Sequence, residues 1–121
     1  MAHYPDSAGS QDNYRAFTCG QTLFQKGEPG DVLYIVVEGQ VEIRVGEQIL
    51  EIIDPGGIFG EMALLDDQPR MATAIAHSDC LLTAVSRTHF LTLVQRNPRF
   101  ALQVMRVMAD RLRRVVDLAG S

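Results

Sequence analysis

The sequence predicts a mainly β domain, a sandwich or barrel, with a short helix set among the strands and two helices at the C-terminal end. Three observations predict it. From Tyr14 to Ser86, short runs rich in β-branched and aromatic residues alternate with glycine-containing turns at even spacing. After Ser86 the apolar spacing becomes helical. The composition, 46% apolar and 21% charged over 121 residues, is that of one ordinary globular domain.

The first thirteen residues, rich in Ser, Gly, Asp and Asn, read as a flexible tail (1–13) ahead of a folded unit spanning 14–118. GQTLF is a first strand, closed by the turn KGEPGD. Val32–Val37 then form an unbroken apolar run, the pattern of a buried strand. VEIRV alternates, with Val41, Ile43 and Val45 on one face. ILEIID follows a GE turn and ends at PGG, and TAIA and LLTAVS are two further strands. SRTHFLTLVQRNP reads as a helix capped by Ser86 or Thr88 and stopped at Pro98.

A longer helix is expected from about Pro98 to Leu118. Ala101, Met105, Met108, Leu112, Val115 and Ala119, spaced 4, 3, 4, 3 and 4 apart, make one apolar stripe along it. Phe100, Val104 and Val107 make a second. One face packs on the barrel. The other meets a second subunit or a neighbouring domain, or else both pack within the chain.

Several function classes are excluded. No run approaches the roughly 18 apolar residues of a membrane span, and MAHYPDSAGSQDN lacks the regions of a signal peptide. A cytoplasmic protein with no membrane contact is expected. The three histidines show no HxH or HExxH spacing, so no metal is expected and a cupin-type enzyme is disfavoured. Cys19 and Cys80 lack CxxC spacing and read as two buried, reduced residues. There is no nucleophile elbow, and catalysis is not expected. Residues 1–86 carry 4 basic and 13 acidic side chains and residues 87–121 carry 7 and 2, so −9 and +5 make up the net −4. The basic end reads as arginines suiting a helix dipole rather than as a nucleic-acid surface.

One stretch breaks the strand rhythm: PGGIFGEMALLDDQPRMATA, residues 55–74. Gly60 to Leu65 reads as a glycine-opened short helix, too short to exist for its own stability, whose free amides suit an anion. Arg70 returns toward it after Asp66, Asp67 and Pro69, and its planar fork suits one phosphate. Glu61 beside a phosphate calls for a hydrogen-bond donor, which a sugar hydroxyl supplies. Phosphate and ribose within reach of one short loop describe a compact nucleotide. The absence of GxxxxGK[ST] argues against ATP. Each residue also has an ordinary structural reading: Glu61 suiting a helix dipole, Arg70 paired with Asp66 or Asp67, Gly60 in a tight turn.

FGEMALLDDQPRMAT resembles the phosphate-binding cassette of cyclic nucleotide-binding domains, whose pattern is roughly FGE-x-A-L followed by PR-x-A-T. The likeness covers about residues 15–117 and takes in the GEPGD turn, VLYIVVEGQVEIRV and the two C-terminal helices. It implies a jelly-roll β-barrel with a short cassette helix and two C-terminal helices. By the same resemblance Glu61 would accept from the ribose 2′-hydroxyl and Arg70 would pair with the cyclic phosphate. The amides around Gly60, Glu61, Met62 and Ala63, and that of Met71, would line the phosphate oxygens. Arg111 would touch the base, and Gly30 and Gly39 would serve turns. Met71 stands where a threonine is associated with cGMP, so cAMP is the favoured ligand and cGMP the alternative.

The chain ends without a helix-turn-helix, which points to a bacterial stand-alone sensor with no direct specific DNA binding. Its partners would be the cyclic nucleotide and, through the C-terminal helix, a second copy or another protein. Two other readings stand beside this one. The first is a protein-interaction barrel that has lost ligand binding, and the second is part of a transcription-regulator complex.

Overall fold

The computed structural model describes residues 14–64 and 68–120, with backbone alone at 115 and 118–120. The tail 1–13, the end of the cassette helix at Leu65, the partners Asp66 and Asp67 and the stripe residues Val115 and Ala119 therefore lie outside what is described. Eight strands run in order: β1 (Tyr14–Phe17), β2 (Thr22–Phe24), β3 (Val32–Glu38), β4 (Val41–Val45), β5 (Gln48–Ile53), β6 (Ile58–Phe59), β7 (Thr73–Ala76) and β8 (Cys80–Ser86). They form two antiparallel four-stranded sheets, ordered β1-β8-β3-β6 and β2-β7-β4-β5. A 3₁₀ helix, Glu61–Leu64, follows β6, and the helices α1 (Arg87–Arg96) and α2 (Arg99–Gly120) close the chain.

The apolar run of β3 explains the layering. Successive strand residues point to opposite faces, so a strand apolar at every position needs cover on both. Tyr34 and Val36 face the second sheet, in a core with Val41, Phe59, Ala74, Leu82 and Ala84. Leu33 and Ile35 face the other way, in a core with Ile58, Leu64, Val85, Leu93, Phe100 and Val104. The first sheet thus lies between the second sheet and the two helices. Phe100 and Val104 of α2 supply the face that packs on the sheet, while Met105 and Leu112 of the other stripe are 54% and 64% exposed.

Ser86 is the cap of α1, accepting a hydrogen bond from the His89 amide at 3.2 Å. Asn97 ends that helix, and α2 starts one residue later than expected, at Arg99. Cys80 is buried as expected, but Cys19 is exposed, because it lies in the turn after β1 rather than in a strand. The C-terminal arginines also differ from expectation. None lies in the last turn of α2, and three of the four have carboxylate partners: Arg111 with Glu51 and Glu61, Arg113 with Asp110, Arg114 with Glu51.

The alternation of β4 would send Glu42 to solvent, yet it is 6% exposed. Its strand partners Ile52 and Ile75 flank it. Its carboxylate meets His77 Nδ1 at 2.8 Å and the Arg44 Nε. The hydrogen bond from His77 and the Arg44 guanidinium hold the carboxyl below its ordinary value of 4.5, against burial, which pushes it up. A depressed carboxyl pKa gives stability that is fully present above the unfolded value and is lost as pH falls through the folded one.

Two outcomes follow from these contacts. In chemical denaturation between about pH 6 and pH 3, Glu42→Gln should flatten the acid limb of the stability curve, leaving the pH 6 end the more changed. Ser86→Ala should cost about 1 kcal/mol, the worth of an N-cap, at every pH in that range.

Candidate functional site

The described start of the cassette, residues 60–64, is held at both ends by hydrogen bonds. Gly60 has φ +76°, a backbone conformation that other residues rarely adopt, and it turns the chain from β6 into the 3₁₀ helix. The Ala63 amide closes that helix on the Gly60 carbonyl at 3.3 Å, so this amide is already engaged. Arg87 at the start of α1 donates from Nε to the Leu64 carbonyl at 3.0 Å and fixes the other end. The cassette helix is a single 3₁₀ turn, Glu61–Leu64, tied at both ends.

Arg70 is 9% exposed, a cation almost wholly removed from water. Its terminal nitrogens donate to the backbone carbonyls of Val32, at 3.0 Å, and Gly60, at 3.3 Å. Its Cζ stands 4.1 Å from the centre of the Phe24 ring. Nε is buried without a hydrogen-bond partner. Burial pushes the Arg70 pKa below its ordinary value, while Tyr34, Asp31, Glu28 and Glu61 push it back. A buried cation answered by two carbonyls and the rings of Phe24 and Tyr34 is incompletely compensated. An anion would complete it.

Glu61 is 6% exposed, and its Oε1 accepts from Arg111 at 2.6 Å. The same guanidinium reaches the Ile58 carbonyl at 2.6 Å and Glu51 at 2.9 Å, and Arg114 reaches Glu51 at 3.1 Å. Thus α2 is bound by its charges to both β5 and the cassette. Its position over the site is set there.

Between these groups lies a cavity of about 510 Å³. Its wall includes all seven residues singled out from the sequence: Gly60, Glu61, Met62, Ala63, Arg70, Met71 and Arg111. The cation end is Arg70 and the carboxylate end Glu61. Phe24, Ile43, Phe59, Met108, Ala109 and Leu112 supply an apolar remainder. That combination, an apolar hollow with a few convergent polar groups, is the usual build of a small-molecule site. Met71 is 67% exposed at its rim. Among the described residues no group of three or more His, Cys, Asp or Glu is placed to hold a metal ion.

Sequence reasoning missed several of these residues. The pattern makes Phe24 a strand residue only and gives Phe59 no role beyond the head of the cassette motif, since nothing local says that a strand end borders a hollow. Gly30 was assigned to a turn, yet a Cβ there would stand 2.1 Å from Arg70 Nε. Arg111 was expected at a base, and its contact with Glu61 could not be read from spacing.

The sequence profile described as "Cyclic nucleotide-binding domain" matches residues 14–97. The chain is 37% identical to the cyclic AMP receptor protein of Thermus thermophilus, over 89% of this chain and 52% of that one. It is similar in structure to the Thermus thermophilus catabolite activator protein, with a TM-score of 0.77 and 36% identity over 88% of this chain and 54% of that one. A second solved structure is described by the words "A cyclic-GMP-dependent signalling pathway regulates bacterial phytopathogenesis". It matches with a TM-score of 0.70 and 30% identity, over 97% of this chain and 96% of that one. The chain spans about half the length of the receptor and activator proteins it matches.

Arg111→Ala should cost roughly 2–3 kcal/mol, because it strips charge-assisted bonds and leaves the Glu61 carboxylate buried. Hydrogen exchange should quicken in α2 around residues 107–114 and stay slow in β3 and β8.

Proposed function

This chain belongs to the cyclic nucleotide-binding domain family, and from that premise we propose that it binds cAMP, in preference to cGMP, as a sensor whose α2 is the lid. One observation carries the reading: a buried guanidinium and a buried carboxylate face one hollow beneath α2, with Arg70 and Glu61 both on its wall. The cyclic phosphate is the anion that Arg70 lacks, bound through a planar fork suited to phosphate oxygens. The ribose 2′-hydroxyl donates to Glu61. The amides of Gly60, Glu61 and Met62 and that of Met71 would bond the phosphate oxygens, the Ala63 amide being held by the Gly60 carbonyl.

The base occupies the apolar part near Met71, Met108 and Leu112. Met71 offers no hydroxyl to the guanine amino group, which favours adenine. Arg111 joins lid to ligand, since the carboxylate that would receive the ribose is the one it already grips. A ligand that touches α2 as well as the cassette stabilises the lid-down arrangement, and only such a differential contact shifts the balance between two states. The exposed flank of α2, with Leu102, Met105, Leu112 and Val116, is the surface through which a second copy or another protein would sense the change. In this reading the domain does no chemistry, needs no metal and reads no DNA sequence by itself.

Calorimetric titration with cAMP and with cGMP tests this. Binding of cAMP should be the tighter, and Arg70→Ala should lower it by about tenfold to a hundredfold, the worth of a charge-assisted bond. 2′-Deoxy-cAMP should bind several-fold more weakly than cAMP to the wild type, and the two should bind equally to Glu61→Ala. An Arg70→Ala protein that binds as the wild type does would remove the reading.

A further inference from the structure

Three features converge on Arg70 from a part of the chain outside the cassette. The turn after β2 is bonded to its backbone twice, Gly27 N–H to the Arg70 carbonyl and the Arg70 N–H to the Glu28 carbonyl, both at 2.8 Å. The Phe24 ring lies 4.1 Å from Cζ. Gly30 lies so close that a Cβ there would stand 2.1 Å from Nε, 2.4 Å from Cζ and 2.7 Å from a terminal nitrogen. The guanidinium has its place only because residue 30 has no side chain.

The strand before the turn is irregular in a way that serves the same end. Thr22 pairs with Ile75 and Phe24 with Ala74, so Leu23 is an extra residue in β2. Regular pairing would set Phe24 opposite Thr73. With the bulge it faces Ala74, a residue of the inter-sheet core, and the ring reaches the cavity. Bulges re-aim side chains in this manner next to binding sites.

We propose that Phe24 and Gly30 are positioning residues for Arg70: the ring and the bare glycine form a cradle that sets where the guanidinium stands before a phosphate arrives. The inference rests on the cavity being a cyclic nucleotide site. An arginine side chain has many rotamers, and ordering it at the moment of binding weakens affinity. The cradle has removed that freedom in advance. The ring also attracts the cation through its quadrupole, which an aliphatic side chain of similar size lacks. Neither residue need touch the ligand's phosphate to affect how it is held.

The full chain is titrated with cAMP and cGMP, and with adenosine, which has base and ribose but no phosphate. Phe24→Leu should weaken cAMP by about three- to tenfold, the loss of a partly buried cation–π contact. Phe24→Tyr, which keeps the ring, should restore affinity to within about twofold. Gly30→Ala should weaken cAMP similarly, because the atoms its Cβ meets are those of the Arg70 guanidinium itself. Adenosine binding should stay at the wild-type level in Gly30→Ala and fall less than cAMP binding does in Phe24→Leu. In an Arg70→Lys background, Phe24→Leu and Gly30→Ala should have no further effect.

Wild-type protein that binds neither nucleotide overturns the reading of the cavity, and this inference with it. Wild-type binding that Arg70→Lys weakens while Phe24→Leu and Gly30→Ala leave it unchanged or raise it overturns the inference alone. Equal losses for adenosine and cAMP, or full effects retained in the Arg70→Lys background, also overturn it, since the two residues would then act on the fold and not through Arg70.

Discussion

A guanidinium taken out of water must be surrounded by dipoles or charge, and at Arg70 those come from places distant in sequence. The carbonyl of Val32 comes from the start of β3, that of Gly60 from the bend after β6, and the ring from β2. β3 and β6 are neighbours in one sheet and β2 lies in the other, so the arginine can be satisfied only when both sheets have formed. The site and the sandwich are therefore one cooperative object. Its residual electrostatic need is a buried Nε without a partner, on a side chain that lines the hollow where a ligand would lie.

β3 is the element that links the layers. Its inner residues, Tyr34 and Val36, belong to the inter-sheet core, and its outer ones, Leu33 and Ile35, carry the helices. Tyr34 also stacks on Phe59 at 5.3 Å and lies 6.1 Å from Phe24, so the aromatic floor of the cavity continues directly into the core. On the far side the same strand holds Phe100 and Val104, from which α2 runs out over the hollow. A displacement of α2 is thus opposed at its base by apolar packing and farther along by Arg111. The apolar contact is non-directional, whereas the charged one depends on a carboxylate in the site itself.

The charge distribution takes on a different meaning in three dimensions. The acidic body and basic end of the chain look like two separate surfaces when counted along the sequence. Folded, Glu51 and Glu61 meet Arg111 and Arg114 across the seam between the β domain and α2. Two carboxylates of the acidic body and two arginines of the basic end are thus the halves of one set of ion pairs. Partly buried pairs of this kind are screened less by salt than exposed ones.

The sequence alone determined the class of fold, most strand positions, the cap at Ser86 and five of the cavity residues, Gly60, Glu61, Met62, Ala63 and Arg70, because each leaves a local mark, whereas Met71 and Arg111 rested on the family resemblance. Alternation, capping and a glycine before a short acidic turn depend on neighbours within a few positions. Tertiary structure alone decided that Glu42 is buried beside His77, that Gly30 makes room for a side chain forty residues away, that a bulge turns Phe24 inward, and that Arg111 closes on Glu61. These are meetings between segments whose separation along the chain carries no signal. Close packing, which leaves no space for one extra carbon at Gly30, becomes visible only when the strands are assembled.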